Sequence, residues 1–215
     1  MIFNINTKIV IFLMIILLLF PSFISANNLK TSFSDVNRKN WYYNTIMELN
    51  EKGIISGYGD NTFRPNENIT FGEFLKLAIN STTGKDFKSS DGEHWAVGVY
   101  KEAIFRGVID STNFRPTREV FDSPITREEM TYISIGVNEN IQKESALNTS
   151  NIKLNIDDMN DISEKNKISV KQAFQKGLIN GKNGSFQPKS NASRAEASTI
   201  IIRLLNKSKR IQITD

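Results

Sequence analysis

Two arginines stand where a guanidinium can do recognition chemistry. Arg127 follows Thr126 in Thr126-Arg127-Glu128-Glu129, and Arg194 follows Ser193 in Ser193-Arg194-Ala195-Glu196. In each run the hydroxyl and the glutamate three residues on read as a capping box, which puts the arginine in the first turn of a helix. A planar guanidinium forks two hydrogen bonds onto a carboxylate, and the free N–H groups and dipole of a helix N-terminus favour the same negative charge. The plain alternative is a solvated surface arginine, although a cation there opposes the helix dipole. Trp41 and Trp95 bring a second chemistry. An indole face stacks on the apolar C–H face of a sugar while its N–H donates to a hydroxyl; packing into the core is the equal alternative.

Other chemistries are poorly supplied. The chain has no cysteine, so thiol nucleophiles, thiolate metal sites and disulfide staples are excluded. One histidine, His94, cannot build a polyhistidine metal site, and beside Trp95 it reads as a structural or groove-rim residue. A glycosidase needs only two carboxylates, roughly 5–9.5 Å apart, and 23 acidic residues are present. The adjacent pair Glu128-Glu129 is partly taken up by the capping box, and neighbouring side chains on a helix point apart. The expectation is no enzyme, no catalytic residue, no metal and no cofactor. A net charge of +4, evenly spread, does not call for nucleic acid and is compatible with an anionic cell-surface polymer.

The elements that must position these residues follow from the chain's organisation. Residues 1–26 read as a secretory signal peptide: Lys8, an unbroken apolar run from Ile9 to Phe20, then Pro21 and the small residues Ser25 and Ala26. That run is short of the roughly 20 residues of a transmembrane helix, so cleavage and no membrane span thereafter are expected, with retention as an anchor the alternative.

Beyond it one order of features recurs three times. The first pass has Phe33-Ser34-Asp35, Trp41, Gly53-Ile54-Ile55, Phe63-Arg64-Pro65 and Thr70-Phe71-Gly72-Glu73. The second has Phe87, Asp91, His94-Trp95, Gly107-Val108-Ile109, Phe114-Arg115-Pro116 and Thr126-Arg127-Glu128-Glu129. The third has Ile156-Asp157-Asp158, Gly177-Leu178-Ile179, Phe186-Gln187-Pro188 and Ser193-Arg194-Ala195-Glu196. The units are 32–84, 85–141 and 156–206, with a polar insert, 142–155, read as a linker and a basic tail, 207–215. Each unit reads as helix, turn, helix. Apolar residues at helical spacing lead to a glycine that ends the first helix in a left-handed residue, and the capping box opens the second. Phe-x-Pro pins the loop to the core, and short strand-like pairing is expected around Phe63 and Phe114. Units of about 50 residues are near the lower limit for an independent core, so three sharing one core are expected.

This pattern resembles the S-layer homology (SLH) domain, as a triplet over about residues 32–206. The resemblance implies a mainly α fold, three helix-loop-helix repeats in a pseudo-threefold arrangement around a central three-helix bundle. It implies non-catalytic anchoring of an exported protein to the cell surface of a Gram-positive-type bacterium. The implied partner is secondary cell-wall polysaccharide, often pyruvylated, held in grooves between repeats, with S-layer or other surface proteins as further partners. By the same resemblance the glycan-binding residues are Asp35, Trp41, Gly57, Asp60, Asp91, Trp95, Arg127 and Arg194. Asp35 and Asp91 would otherwise cap helices, and Gly57 and Asp60 would otherwise form a turn. Three departures limit the sites: Phe71 stands at the first unit's arginine position, Lys165 about where a third tryptophan belongs, and Gln187 at the arginine of Phe-Arg-Pro. At most two complete sites are expected. The competing function is a structural surface protein that works through protein contacts with degenerate glycan sites.

Overall fold

The hydroxyl–x–x–Glu runs do cap helices. Thr70, Thr126 and Ser193 each accept a hydrogen bond from the backbone N–H three residues on, and Glu73, Glu129 and Glu196 reach back to the cap residue's N–H. A computed structural model describes residues 32–150, 154, 156–181 and 183–212; the signal peptide expected at 1–26 lies outside the described residues. Seven α-helices occur among them: α1 Tyr43–Glu51, α2 Phe71–Thr83, α3 Val97–Phe105, α4 Arg118–Asp122, α5 Arg127–Gly136, α6 Lys167–Gln175 and α7 Arg194–Leu205. A π-helical turn, Val137–Ile141, extends α5. The chain is mainly α, as expected. The first helices α1, α3 and α6 end at Gly53, Gly107 and Gly177, whose φ angles of 67°, 70° and 66° suit glycine and strain other residues.

The capped helices α2, α5 and α7 pack on one another as a central bundle. Each first helix then packs on the second helix of the preceding unit: α3 on α2, α6 on α5, and α1 on α7. This offset means that no unit buries its apolar faces alone, and the α1–α7 joint closes the ring between distant parts of the chain. The ring has a backbone counterpart. Ile69 N–H donates to the Ala192 carbonyl (3.0 Å), Ala192 N–H to Ile125 (2.8 Å) and Ile125 N–H to Ile69 (3.0 Å). These residues immediately precede the three caps, so one cyclic set of bonds fixes where all three bundle helices start.

Among the described residues three β-bridges lie at this ring, Asn68 with Ser193, Thr70 with Pro124 and Thr126 with Asn191, and neither Phe63 nor Phe114 takes part in one. The reason is local. Phe63 N–H is taken by the Asp35 carboxylate, and Phe114 N–H by the Asp110 carbonyl of its own turn. All three phenylalanines, Phe63, Phe114 and Phe186, are buried, which is the pinning role expected of Phe-x-Pro. The middle unit has one unanticipated element, α4. Thr117 caps it by accepting from Val120 N–H (3.2 Å), and it buries Phe121 completely.

The insert and the basic tail meet. Glu144 accepts two hydrogen bonds from the Arg210 guanidinium, 2.7 and 2.9 Å, and Lys207 lies 3.1 Å from it. Ile211 N–H donates to the Gly177 carbonyl (3.0 Å). The Arg210 hydrogen bonds first, against an opposing contribution from burial, hold the Glu144 carboxyl down to about 2. Lys176 is buried nearby, donating to Asn138 Oδ1 (2.7 Å) and the Ser145 carbonyl (2.8 Å), and burial lowers its pKa.

Candidate functional site: two grooves between units

The residue that opens each bundle helix lies on the Phe-x-Pro ring of the next unit. Arg127 sits over Phe186, 5.3 Å from its centroid, and Arg194 over Phe63 at 4.6 Å. Each guanidinium is also anchored by its Nε, which donates to the carbonyl of that phenylalanine: 2.8 Å for Arg127 and 3.0 Å for Arg194. Anchoring through Nε leaves the outer nitrogens for other partners, and there the two arginines differ. Arg127 Nη1 is ion-paired with Glu196 Oε1. Among the described residues Arg194 Nη2 reaches the Ser56 carbonyl, at 3.4 Å, and its guanidinium also faces Tyr58 at 5.0 Å.

The loops that offer those carbonyls are held by aspartates. Asp35 accepts from the backbone N–H groups of Phe63 (2.8 Å) and Arg64 (2.7 Å). Asp158 does the same for Phe186 (2.8 Å) and Gln187 (2.5 Å) and adds Ser185 Oγ (2.7 Å). Burial raises the Asp158 pKa, and these hydrogen bonds outweigh it, so the net shift is downward. Arg64 and Gln187 hold φ angles of 58° and 59°, a left-handed turn that non-glycine residues rarely adopt. The carboxylate bridge across the preceding amides stabilises that turn. Asp158 is thus the counterpart of Asp35, which the sequence reading did not single out. Its position two residues after Ile156, like Asp35 two residues after Phe33, was the available signal.

Gly57 is required by close approach: a Cβ there would come within 2.4 Å of Phe33 Cε1 and of the Thr62 carbonyl. Asp60 closes the same loop, accepting from Thr62 Oγ1 (2.6 Å), Thr62 N–H (3.0 Å) and Arg64 Nη2 (3.1 Å). The Thr62 hydroxyl first, then the Thr62 amide and Arg64, hold its carboxyl down to about 2. Asp35, Gly57 and Asp60 therefore stand together as one loop-building set. Asp91 is exposed in the turn before α3 and is not brought to this set.

Arg127 and Trp41 line one cavity, whereas Arg194 and Trp95 line two cavities that adjoin. A cavity of about 420 Å³ is lined by Arg127 of the second unit, Asn180, Glu196 and Arg203 of the third, and Trp41 of the first. Around Arg194 a smaller cavity, about 170 Å³, takes in Ser56, Phe63 and Glu73. It shares Ile54, Glu73 and Leu77 with a third cavity, about 490 Å³, lined also by Lys76, Asn80 and Trp95. Each groove thus takes its arginine from one unit, its loop and helix wall from the next, and its tryptophan from the one after. Trp41 is 66% exposed and Trp95 43%. Trp95 also packs its ring edge toward α2, where a Cβ added to Gly72 would lie 3.1 Å from Trp95 Cη2. His94 is structural: Nδ1 accepts from Ala96 N–H (3.3 Å), Nε2 lies 3.0 Å from Asp122 Oδ1, and the ring stacks on Phe121 at 5.0 Å.

The third position of the same geometry is filled differently. Phe71 packs on Phe114, with centroids 4.9 Å apart, and lies 6.4 Å from Phe121. The Phe114 carbonyl accepts from the Tyr100 hydroxyl (2.8 Å), not from a guanidinium. Lys165 stands where the tryptophan would be, 5.5 Å from the Phe114 ring. This place has neither the arginine nor the indole.

Residues 32–75 and 155–198 match the S-layer homology domain, the family of cell-wall anchoring modules found in surface proteins. The chain is 32% identical over 189 residues to an amylopullulanase of Thermoanaerobacterium thermosulfurigenes, covering 84% of this chain and 10% of that protein. It is 31% identical over 189 residues to exoglucanase XynX of Acetivibrio thermocellus, covering 84% and 17%. Over 123 residues it is 27% identical to the surface-layer 125 kDa protein of Lysinibacillus sphaericus, covering 51% and 10%. The chain therefore spans a small fraction of each of these proteins, and its likeness to the two enzymes is confined to that fraction. The two S-layer homology matches fall on the first and third units. No helix among the described residues is long and apolar enough to cross a membrane.

Proposed function

We propose that residues 32–212 anchor the chain to the wall of a Gram-positive-type bacterium by binding secondary cell-wall polysaccharide in the two grooves. The middle unit, 85–141, acts as a third S-layer homology repeat, and the module does no catalysis. The observation that carries this reading is an anchored guanidinium and an exposed indole from different units, sharing one cavity at Arg127 and Trp41 and lining adjoining cavities at Arg194 and Trp95. A guanidinium answers a sugar carboxylate such as a ketal pyruvate, and an indole answers a sugar's C–H face. Asp35, Gly57 and Asp60 serve by shaping the loop that offers the Phe63 carbonyl to Arg194, and Asp91 contributes to the outer rim near Trp95. Export through cleavage of residues 1–26 delivers the module to the surface.

Co-sedimentation with wall sacculi, before and after acid extraction of their secondary polysaccharide, tests the proposal. Binding should disappear with extraction; equal binding to both preparations, or to neither, would refute it. A second reading, attachment through other surface proteins, draws on the exposed apolar side chains Phe105 and Ile168, 84% and 63% accessible. It requires that Phe105→Ser and Ile168→Ser release the protein from intact walls while Arg194→Ala does not.

A further inference from the structure

The two grooves share a plan but present different charge to a ligand. In the Trp41 groove, Arg127 is ion-paired with Glu196, and its side chain is only 14% exposed. Glu196 is the capping-box glutamate of α7, and its other oxygen accepts from Ser193 N–H at 2.9 Å. Its counterpart in the other groove is Glu73, whose Oε2 accepts from Thr70 N–H at 2.9 Å. Yet among the described residues no carboxylate oxygen lies within 4 Å of the Arg194 guanidinium. Arg194 is held instead by two carbonyls and two aromatic faces. Neutral dipoles and ring quadrupoles orient a cation without cancelling its charge.

Two further cations line the grooves and follow the same division. Lys76 in the Trp95 part lies 3.2 Å from Asp86, with both side chains about half exposed, a pair that solvent weakens. Arg203 in the Trp41 groove gives one N–H to the Leu178 carbonyl (3.0 Å) and is pulled inward enough that burial lowers its pKa.

We infer that the grooves divide the ligand between them: the Arg194–Trp95 groove takes the carboxylate-bearing sugar, and the Arg127–Trp41 groove takes a neutral one, with Glu196 as the residue that sets the difference. This rests on the glycan-binding reading above. An acidic sugar arriving at Arg127 must displace Glu196 or accept its repulsion, whereas at Arg194 it meets a preoriented guanidinium that no carboxylate among the described residues neutralises. A neutral sugar loses nothing to Glu196, whose carboxylate can accept from its hydroxyls.

The test is calorimetric titration of the full chain with two probes, a 4,6-O-pyruvylated N-acetylhexosamine glycoside and the same glycoside without the ketal, alongside extracted wall polysaccharide. The acidic probe should bind one site, and Arg194→Ala should weaken it by about tenfold or more, the size of a charge-assisted contact. Glu196→Gln keeps an acceptor for Ser193 N–H, since glutamine also serves in a capping box, so the helix start is preserved. This variant should raise the number of acidic sites from one to two. Two acidic sites in the unaltered chain, undiminished acidic binding in Arg194→Ala, or no second site in Glu196→Gln would each overturn the inference. Failure of the acidic probe alone, with extracted polysaccharide still bound, overturns it while leaving the anchoring proposal standing. Failure of the polysaccharide as well overturns both.

Discussion

Replacing Phe71 by the arginine found at the two equivalent positions should not create a third groove. Phe71 is 3% exposed and sits against Phe114 and Phe121. Arg127 and Arg194 tolerate such a place because each donates Nε to a phenylalanine carbonyl. The corresponding carbonyl, of Phe114, already accepts from the Tyr100 hydroxyl at 2.8 Å. Phe71→Arg therefore gives up the burial of an aromatic ring, about 2–3 kcal/mol, and puts a guanidinium where its anchor is engaged. The methylene stem recovers part of the ring's contact, and the unpaired donors remove about 1–3 kcal/mol more. A net loss of about 3 kcal/mol corresponds to a fall in Tm of about 6–12 °C for a domain of this size. Differential scanning calorimetry reads the shift, and adding Tyr100→Phe, which frees the carbonyl, should recover part of it. An unchanged Tm together with one acidic-sugar site more than the parent chain shows in titration would refute the reasoning, because it would mean that the arginine position is permissive whatever surrounds it.

Other outcomes follow from the same contacts. Gly57→Ala should lower both stability and binding at the Arg194 groove, because its Cβ would collide with Phe33 and the Thr62 carbonyl at 2.4 Å; thermal melts with glycan titration check it. Trp41→Ala, at a side chain 66% exposed, should shift Tm by less than about 2 °C while weakening wall retention in co-sedimentation. Docking of the tail should be acid-sensitive. The Glu144 carboxyl is depressed from 4.5 to about 2, so its contribution is complete above its unfolded pKa and is lost as pH falls from about 4.5 towards 2. Hydrogen exchange at Ile211, whose N–H bonds Gly177, should accelerate across that window, and Glu144→Gln should show the faster rate already at neutral pH.

Much of the architecture was legible because each signal had a local mechanism. The three capping boxes, the left-handed glycines and the buried Phe-x-Pro rings need only a few neighbouring residues, and each is found where its motif stands. What the sequence could not carry was the offset between units. Which tryptophan faces which arginine depends on α1 packing on α7, α3 on α2 and α6 on α5, contacts between residues far apart in the chain. Periodicity within a unit says nothing about them. The bridges at Asn68, Thr70 and Thr126 were missed for the same reason. Helix α4 escaped notice because five residues are too few to show a period, although Thr117 ahead of them was a cap signal. The oxygens of Asp35 bridge the amides of Phe63 and Arg64, a partnership across a loop that spacing does not reveal.

The loss of Arg127 and Arg194 together is the most direct test of the account. Both side chains line cavities and neither contributes a large apolar surface to the core, so Arg127→Ala/Arg194→Ala should keep the helical circular dichroism and cooperative melting of the parent chain. Titrated with purified secondary cell-wall polysaccharide, the parent chain should bind saturably and the double variant should not. A folded double variant that binds the polysaccharide as well as its parent would contradict the claim that these grooves are where the wall is held.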